Sequence, residues 1–65
     1  MSATTDFYLA RADECAREAE EAVLANVRDR CLRSEVAWRA MAERLVSSEA
    51  ARDRNAAEKA ALAAE

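Results

Sequence analysis

At 65 residues and a net charge of −3, the chain forms one domain at most, and its acidity makes it a poor candidate for nonspecific nucleic-acid or anionic-membrane binding. Glycine and proline are both absent, which removes the usual material of tight turns and phosphate-cradling loops. Hydrophobic residues make up 52%, but alanine supplies much of that and the only aromatics are Phe7, Tyr8 and Trp38, so the core of a lone copy is thin.

The first predicted helix begins near Asp6 and runs to about residue 22. Thr4 or Thr5 can cap it, because a threonine oxygen accepts from an unpaired first-turn N–H. Asp6 then sits where the helix dipole favours negative charge. Its apolar stripe reads Tyr8, Ala12, Cys15, Ala19, Ala22. That alternation of three and four steps marks a helix face that packs on a neighbour.

A second stripe reads Leu24, Val27, Cys31, Ser34, Trp38, Met41, Leu45. It is out of phase with the first, whose continuation would reach the polar Asn26, Asp29 and Arg33. The stripe therefore changes face at residues 22–25, where a chain reversal would do it. Folding the chain back about Val23 sets Ala19 level with Val27, Cys15 with Cys31, Ala12 with Ser34, and Tyr8 with Trp38. Charge agrees, since an acidic first segment precedes a basic one holding Arg28, Arg30, Arg33, Arg39 and Arg44. Exposed ion pairs contribute only about 0.2–1 kcal/mol each, so this sets orientation more than stability.

The expected fold is all-α: a two-helix antiparallel hairpin, about 6–22 and 24–62. A looser stripe through Ala16, Ala19, Val23 and Val27 leaves a second possibility, one continuous long helix in a coiled coil. Beyond Leu45 the stripe fails. Residues 47–65 form an alanine- and charge-rich extension, helical by propensity, with only Leu62 as a large apolar residue. The whole of 1–65 counts as a single hairpin unit.

The segment Tyr8-Leu9-Ala10-Arg11-Ala12-Asp13-Glu14-Cys15, followed by Arg28 to Leu32 and then Trp38, resembles a group of short proteobacterial proteins. Those proteins share a Tyr-x-x-Arg-Ala-x-Glu-Cys start and a later Arg-x-x-x-Leu…Trp segment. The resemblance covers about residues 7–45 and implies a helical hairpin with no assigned activity. The group often has a polar turn between the two segments, where this chain reads Ala22-Val23-Leu24-Ala25.

No constellation points to catalysis. Histidine is absent, and Ser34, Ser47 and Ser48 have no base or elbow beside them. Glu14, Glu18 and Glu21 share a face, but a carboxylate di-iron site also needs histidine, and two cysteines do not complete a four-cysteine zinc site. Neither a metal, another cofactor nor a small-molecule substrate is expected. The arginines spread around their helix among acidic residues, which argues against a nucleic-acid strip. No apolar run approaches the roughly 20 residues of a membrane span. The N-terminal residues carry no secretory pattern. Free Cys15 and Cys31 suit a reducing cytoplasm.

The remaining signal is for association. With the first helix ending opposite about residue 40, Met41 and Leu45 overhang, next to Trp38 and Tyr8. Trp and Tyr are favoured interface anchors. The expected interface is Tyr8, Leu24, Val27, Cys31, Trp38, Met41 and Leu45, and the expected assembly is a homodimer of hairpins in a four-helix bundle. Two alternatives stay open: an adaptor that binds a larger protein through the same strip, and a thiol redox sensor through Cys15 and Cys31.

Overall fold

A computed structural model describes residues 2–64. It contains two α-helices, α1 over Ala3–Glu21 and α2 over Ala25–Ala64, and no strand among the described residues. They form the antiparallel hairpin that the spacing predicts. The alternative of one continuous helix is not adopted, because the backbone leaves the helical region at residues 22–24.

α1 starts earlier than its sequence suggests. The cap is Ser2, not Thr4 or Thr5. The Ser2 Oγ accepts a hydrogen bond from the Thr5 backbone N–H at 3.1 Å, and the Asp6 N–H donates to the Ser2 carbonyl at 3.0 Å. Serine and threonine cap almost equally well in principle. Thr5 is instead drawn into the seam between the helices, where it is fully buried and its hydroxyl hydrogen-bonds Ser2 Oγ at 3.0 Å. Ser2→Ala is expected to cost about 0.5–2 kcal/mol. A chemical-denaturation midpoint unchanged within error would show that this cap contributes nothing.

The bend needs no glycine. Ala22 ends α1 in an extended conformation, φ −68° and ψ 129°, which any residue adopts, and no described residue has positive φ. The Ala22 N–H still reaches the Ala19 carbonyl at 3.4 Å. Arg28, from the first turn of α2, reaches back and donates from its guanidinium to the Ala22 carbonyl at 3.2 Å. One of the carbonyls left unpaired at a helix end thus gains a charged donor. The Arg28 N–H in turn bonds the Leu24 carbonyl at 3.1 Å and opens α2.

The seam is built of small side chains: Thr5, Ala12, Cys15 and Ala19 from α1, Cys31 and Ala42 from α2. Small residues let helix axes approach closely. They also bury little apolar area, and the largest fully buried side chain is a threonine. Val23, Leu24, Leu32, Val36 and Val46 all lie exposed. The molecule measures 63 × 16 × 11 Å, two helices side by side in a single layer. From Arg52 onward every described residue is exposed, since α1 is too short to cover the far half of α2. No helix is long and apolar enough, among the described residues, to cross a membrane.

Candidate interaction surfaces

A single-layer hairpin has two broad faces, and each carries its own chemistry. The first holds the aromatic residues. Trp38 packs edge-on to Phe7, with ring centroids 6.0 Å apart, and tilted on Tyr8 at 5.7 Å. Phe7 and Tyr8 are 6.1 Å apart. The Arg11 guanidinium lies 5.6 Å from the Trp38 ring centre, within cation–π range, and Arg11 also pairs with Glu14. Three rings and a cation thus close the open end of the hairpin from within one chain. Next to them, Tyr8, Met41 and Leu45 line a shallow depression with Arg44 and Ser48.

The overhang is smaller than the spacing implies. The cap at Ser2 lengthens α1 by about a turn, so the helix reaches past the level of residue 40. Ala42 is buried, and Met41 and Leu45 are half-buried instead of free. Of the other expected interface residues, Val27 is half-buried, Cys31 lies in the seam, and Leu24 stands outside at the bend, 62% exposed.

The opposite face lies outside the apolar stripe read from the sequence. Leu9, Val36, Ala40 and Val46 line an open apolar groove across the two helices, with Thr5 and Ala42 at its floor and Arg39 and Glu43 at its rim. Farther toward the bend, Leu32 borders a second depression with Ala16, Glu20, Arg28 and Glu35. Val36 is 69% exposed. Between the two depressions Arg39 bridges the helices, 2.9 Å from Glu35 and 3.1 Å from Asp13. Hydrogen bonds to Glu35, then to Asp13, raise the Arg39 pKa further, so its charge is fixed. The sequence does carry a signal for this face: Leu32, Val36, Val46 and Ala50 fall on one side of a helix. The charges of Arg39 and Glu43 interrupt them.

Cys15 and Cys31 are both free and buried in the seam. The Cys31 Sγ lies 3.8 Å from a Glu18 carboxylate oxygen, which accepts from the thiol. Burial, then the negative charge of Glu18, push the Cys31 thiol above its ordinary value. A raised value means that the folded chain keeps the thiol proton where the unfolded chain loses it, from about pH 8.5 upward. Stability from this source is complete below that pH and declines as pH rises toward the folded value. The alkylation rate at Cys31, followed by peptide mass spectrometry, should have its pH midpoint above about 8.5. Glu18→Gln should lower that midpoint without abolishing the shift, because burial is the larger cause. A midpoint at the free-thiol value would remove the argument.

Among the described residues no three His, Cys, Asp or Glu side chains converge as metal ligands would. No family model matches the chain, and no curated protein or solved structure matches it either.

Proposed function

We propose that this chain is a non-catalytic helical assembly module that self-associates, two hairpins docking into a four-helix bundle. The observation that carries the proposal is the inverted distribution of side-chain size. Alanine, cysteine and threonine fill the seam, while Leu32, Val36 and Val46 lie outside it. A buried Val or Leu contributes about 1.5–3 kcal/mol, and a lone hairpin forgoes that for each residue it leaves in water. A second copy supplies the missing layer and makes a closed, symmetric assembly.

Multi-angle light scattering across a concentration series tests this. The expected mass is twice 7.2 kDa, with a cooperative melt whose midpoint rises with concentration. A folded monomer at micromolar concentration would sink the proposal. An adaptor that needs a larger partner would instead give weak, non-cooperative helix when isolated. A thiol switch at Cys15 and Cys31 is less favoured, since the raised pKa of Cys31 leaves less of its thiolate to oxidise. A cytoplasmic location is proposed with it, on the two free thiols.

A further inference from the structure

The self-association proposed above leaves open which face is used and in which direction the copies run. α2 carries a row of six residues on the groove face: Leu32, Val36, Arg39, Glu43, Val46 and Ala50. The steps between them are four, three, four, three and four. That spacing keeps all six on one side of a helix and is the spacing of an antiparallel or parallel helix seam. The row is also a palindrome centred on the level of Met41. Leu32 and Ala50 are equally far from that level, and so are Val36 and Val46, and Arg39 and Glu43. The chemistry follows the spacing, with apolar paired to apolar and a cation paired to an anion.

We infer that the groove face docks a second copy of this chain, with the two α2 helices antiparallel and related by a two-fold axis at the level of Met41. Val36 of each copy then meets Val46 of the other, Leu32 meets Ala50, and Arg39 meets Glu43. A parallel pairing would set Arg39 against Arg39, a like-charge contact in the middle of the seam. The antiparallel one replaces it with two opposite-charge contacts. Arg39 has spare donors for this, since a guanidinium carries five N–H groups and its intrachain bonds to Glu35 and Asp13 use two.

Two other features of the chain fall into place in the same register. α2 runs on to Ala64 after α1 has ended, an overhang of roughly 25 Å at 1.5 Å per residue. α1 is about 28 Å long. In this register the overhang of one copy lies along α2 of the other as far as residues 57–60, and residues 61–64 run on past its bend. About the Met41 axis, residues 57–60 come level with residues 22–25 of the other copy. The bend is where Val23 is 91% exposed and Leu24 is exposed beside it, and the tail offers Ala57, Ala60 and Ala61 to approach them. Arg28 comes level with Arg54 and Asp29 with Asp53, so opposite charges there lie one step along, Arg28 beside Asp53 and Asp29 beside Arg54. The tail, which has nothing to bury within its own chain, gains a surface to cover.

Single-cysteine variants test the register. In a Cys15→Ala, Cys31→Ala background, full-length Val36→Cys and Val46→Cys chains of different mass are mixed and mildly oxidised. A disulfide needs Cα atoms roughly 4.4–6.8 Å apart. The expected major product is the mixed dimer, position 36 of one chain bridged to position 46 of the other, with each homodimer minor. A dominant homodimer bridged through position 46 of both chains would overturn the antiparallel register. Glu43→Arg in the natural cysteine background is the second variant, chosen because Glu43 is in none of the ion pairs among the described residues. It should shift the scattering mass from dimer toward monomer while helix content is kept. A dimer that survives Glu43→Arg and gives no crosslink uses another face, which overturns this inference and leaves self-association standing. A natural-sequence chain that is already a folded monomer overturns both.

Discussion

Ala12→Leu is expected to open the hairpin. Ala12 is wholly buried between α1 and α2, with Thr5 and Ala42 on one side along the seam and Cys15, Cys31 and Ala19 on the other. A leucine adds three carbons at a position with no exposed surface to expand into. Overpacking of this kind costs about 1–3 kcal/mol in an ordinary core. The cost here falls at the upper end, because a two-helix seam relieves the clash only by separating the helices. Separation would also stretch the Arg39–Asp13 bridge, now 3.1 Å, and pull Trp38 from Tyr8. A chain of this size has a stability of only a few kcal/mol to lose. The melt followed by far-ultraviolet circular dichroism should therefore lose its cooperativity or fall well below that of the parent. Ala10→Leu is the control, since Ala10 is exposed on the same helix and the substitution keeps helix propensity. Equal melts for the two variants would mean that the seam is not where the stability resides.

The seam is legible in the sequence for a plain physical reason. On α1 the three-and-four spacing of Ala12, Cys15 and Ala19 picks out one side of the helix, and all three are buried. The phase break at residues 22–25 locates the bend, although no glycine marks it. The backbone turns there through an extended Ala22, and Arg28 pairs its carbonyl from six residues away. That arginine has no local signature. The cap is not legible, because Ser2, Thr4 and Thr5 are chemically equivalent candidates, and only packing decides which hydroxyl turns inward. On α2 the stripe Cys31, Trp38, Leu45 stands out and the row beside it does not. Ala42 is buried one position from the expected Met41, which is half-buried. Val36 and Leu32 are hidden because charged residues interrupt their row, and a charge inside a seam reads as solvated surface until its partner is considered.

Size decides how these two faces divide the work. The hairpin seam takes the small residues, which let two helices approach closely. The rings of Phe7, Tyr8 and Trp38 are too large for that seam and gather at its open end instead. The aliphatic residues Leu32, Val36 and Val46 have no second layer within the chain. A single copy therefore buries small side chains in its seam and leaves the aliphatic Leu32, Val36 and Val46 where nothing covers them. The ion pair of Arg39 with Asp13 across the helices adds orientation, and both partners are too exposed for it to add much stability.

Trp38→Ala is expected to release the first turns of α1. Trp38 touches Phe7, Tyr8 and Arg11, all within three turns of the α1 N-terminus. The bend tethers the other end of α1 covalently, so these rings, together with the buried Thr5, hold the free end down. Truncating a buried Trp costs about 3–5 kcal/mol. Trp38 is half-buried, which reduces that to roughly 2–3 kcal/mol, with the aromatic pairs supplying part of it. Trp38→Phe should recover a portion, since a smaller ring keeps the edge-on contact with Phe7. Amide hydrogen exchange separates this local clamp from a role as an anchor for another chain. Loss of the clamp accelerates exchange over residues 6–12 at every protein concentration, while residues 28–36 of α2 change less. An interface anchor would behave differently: the variant would exchange like the parent under dilute conditions and differ only where the parent associates.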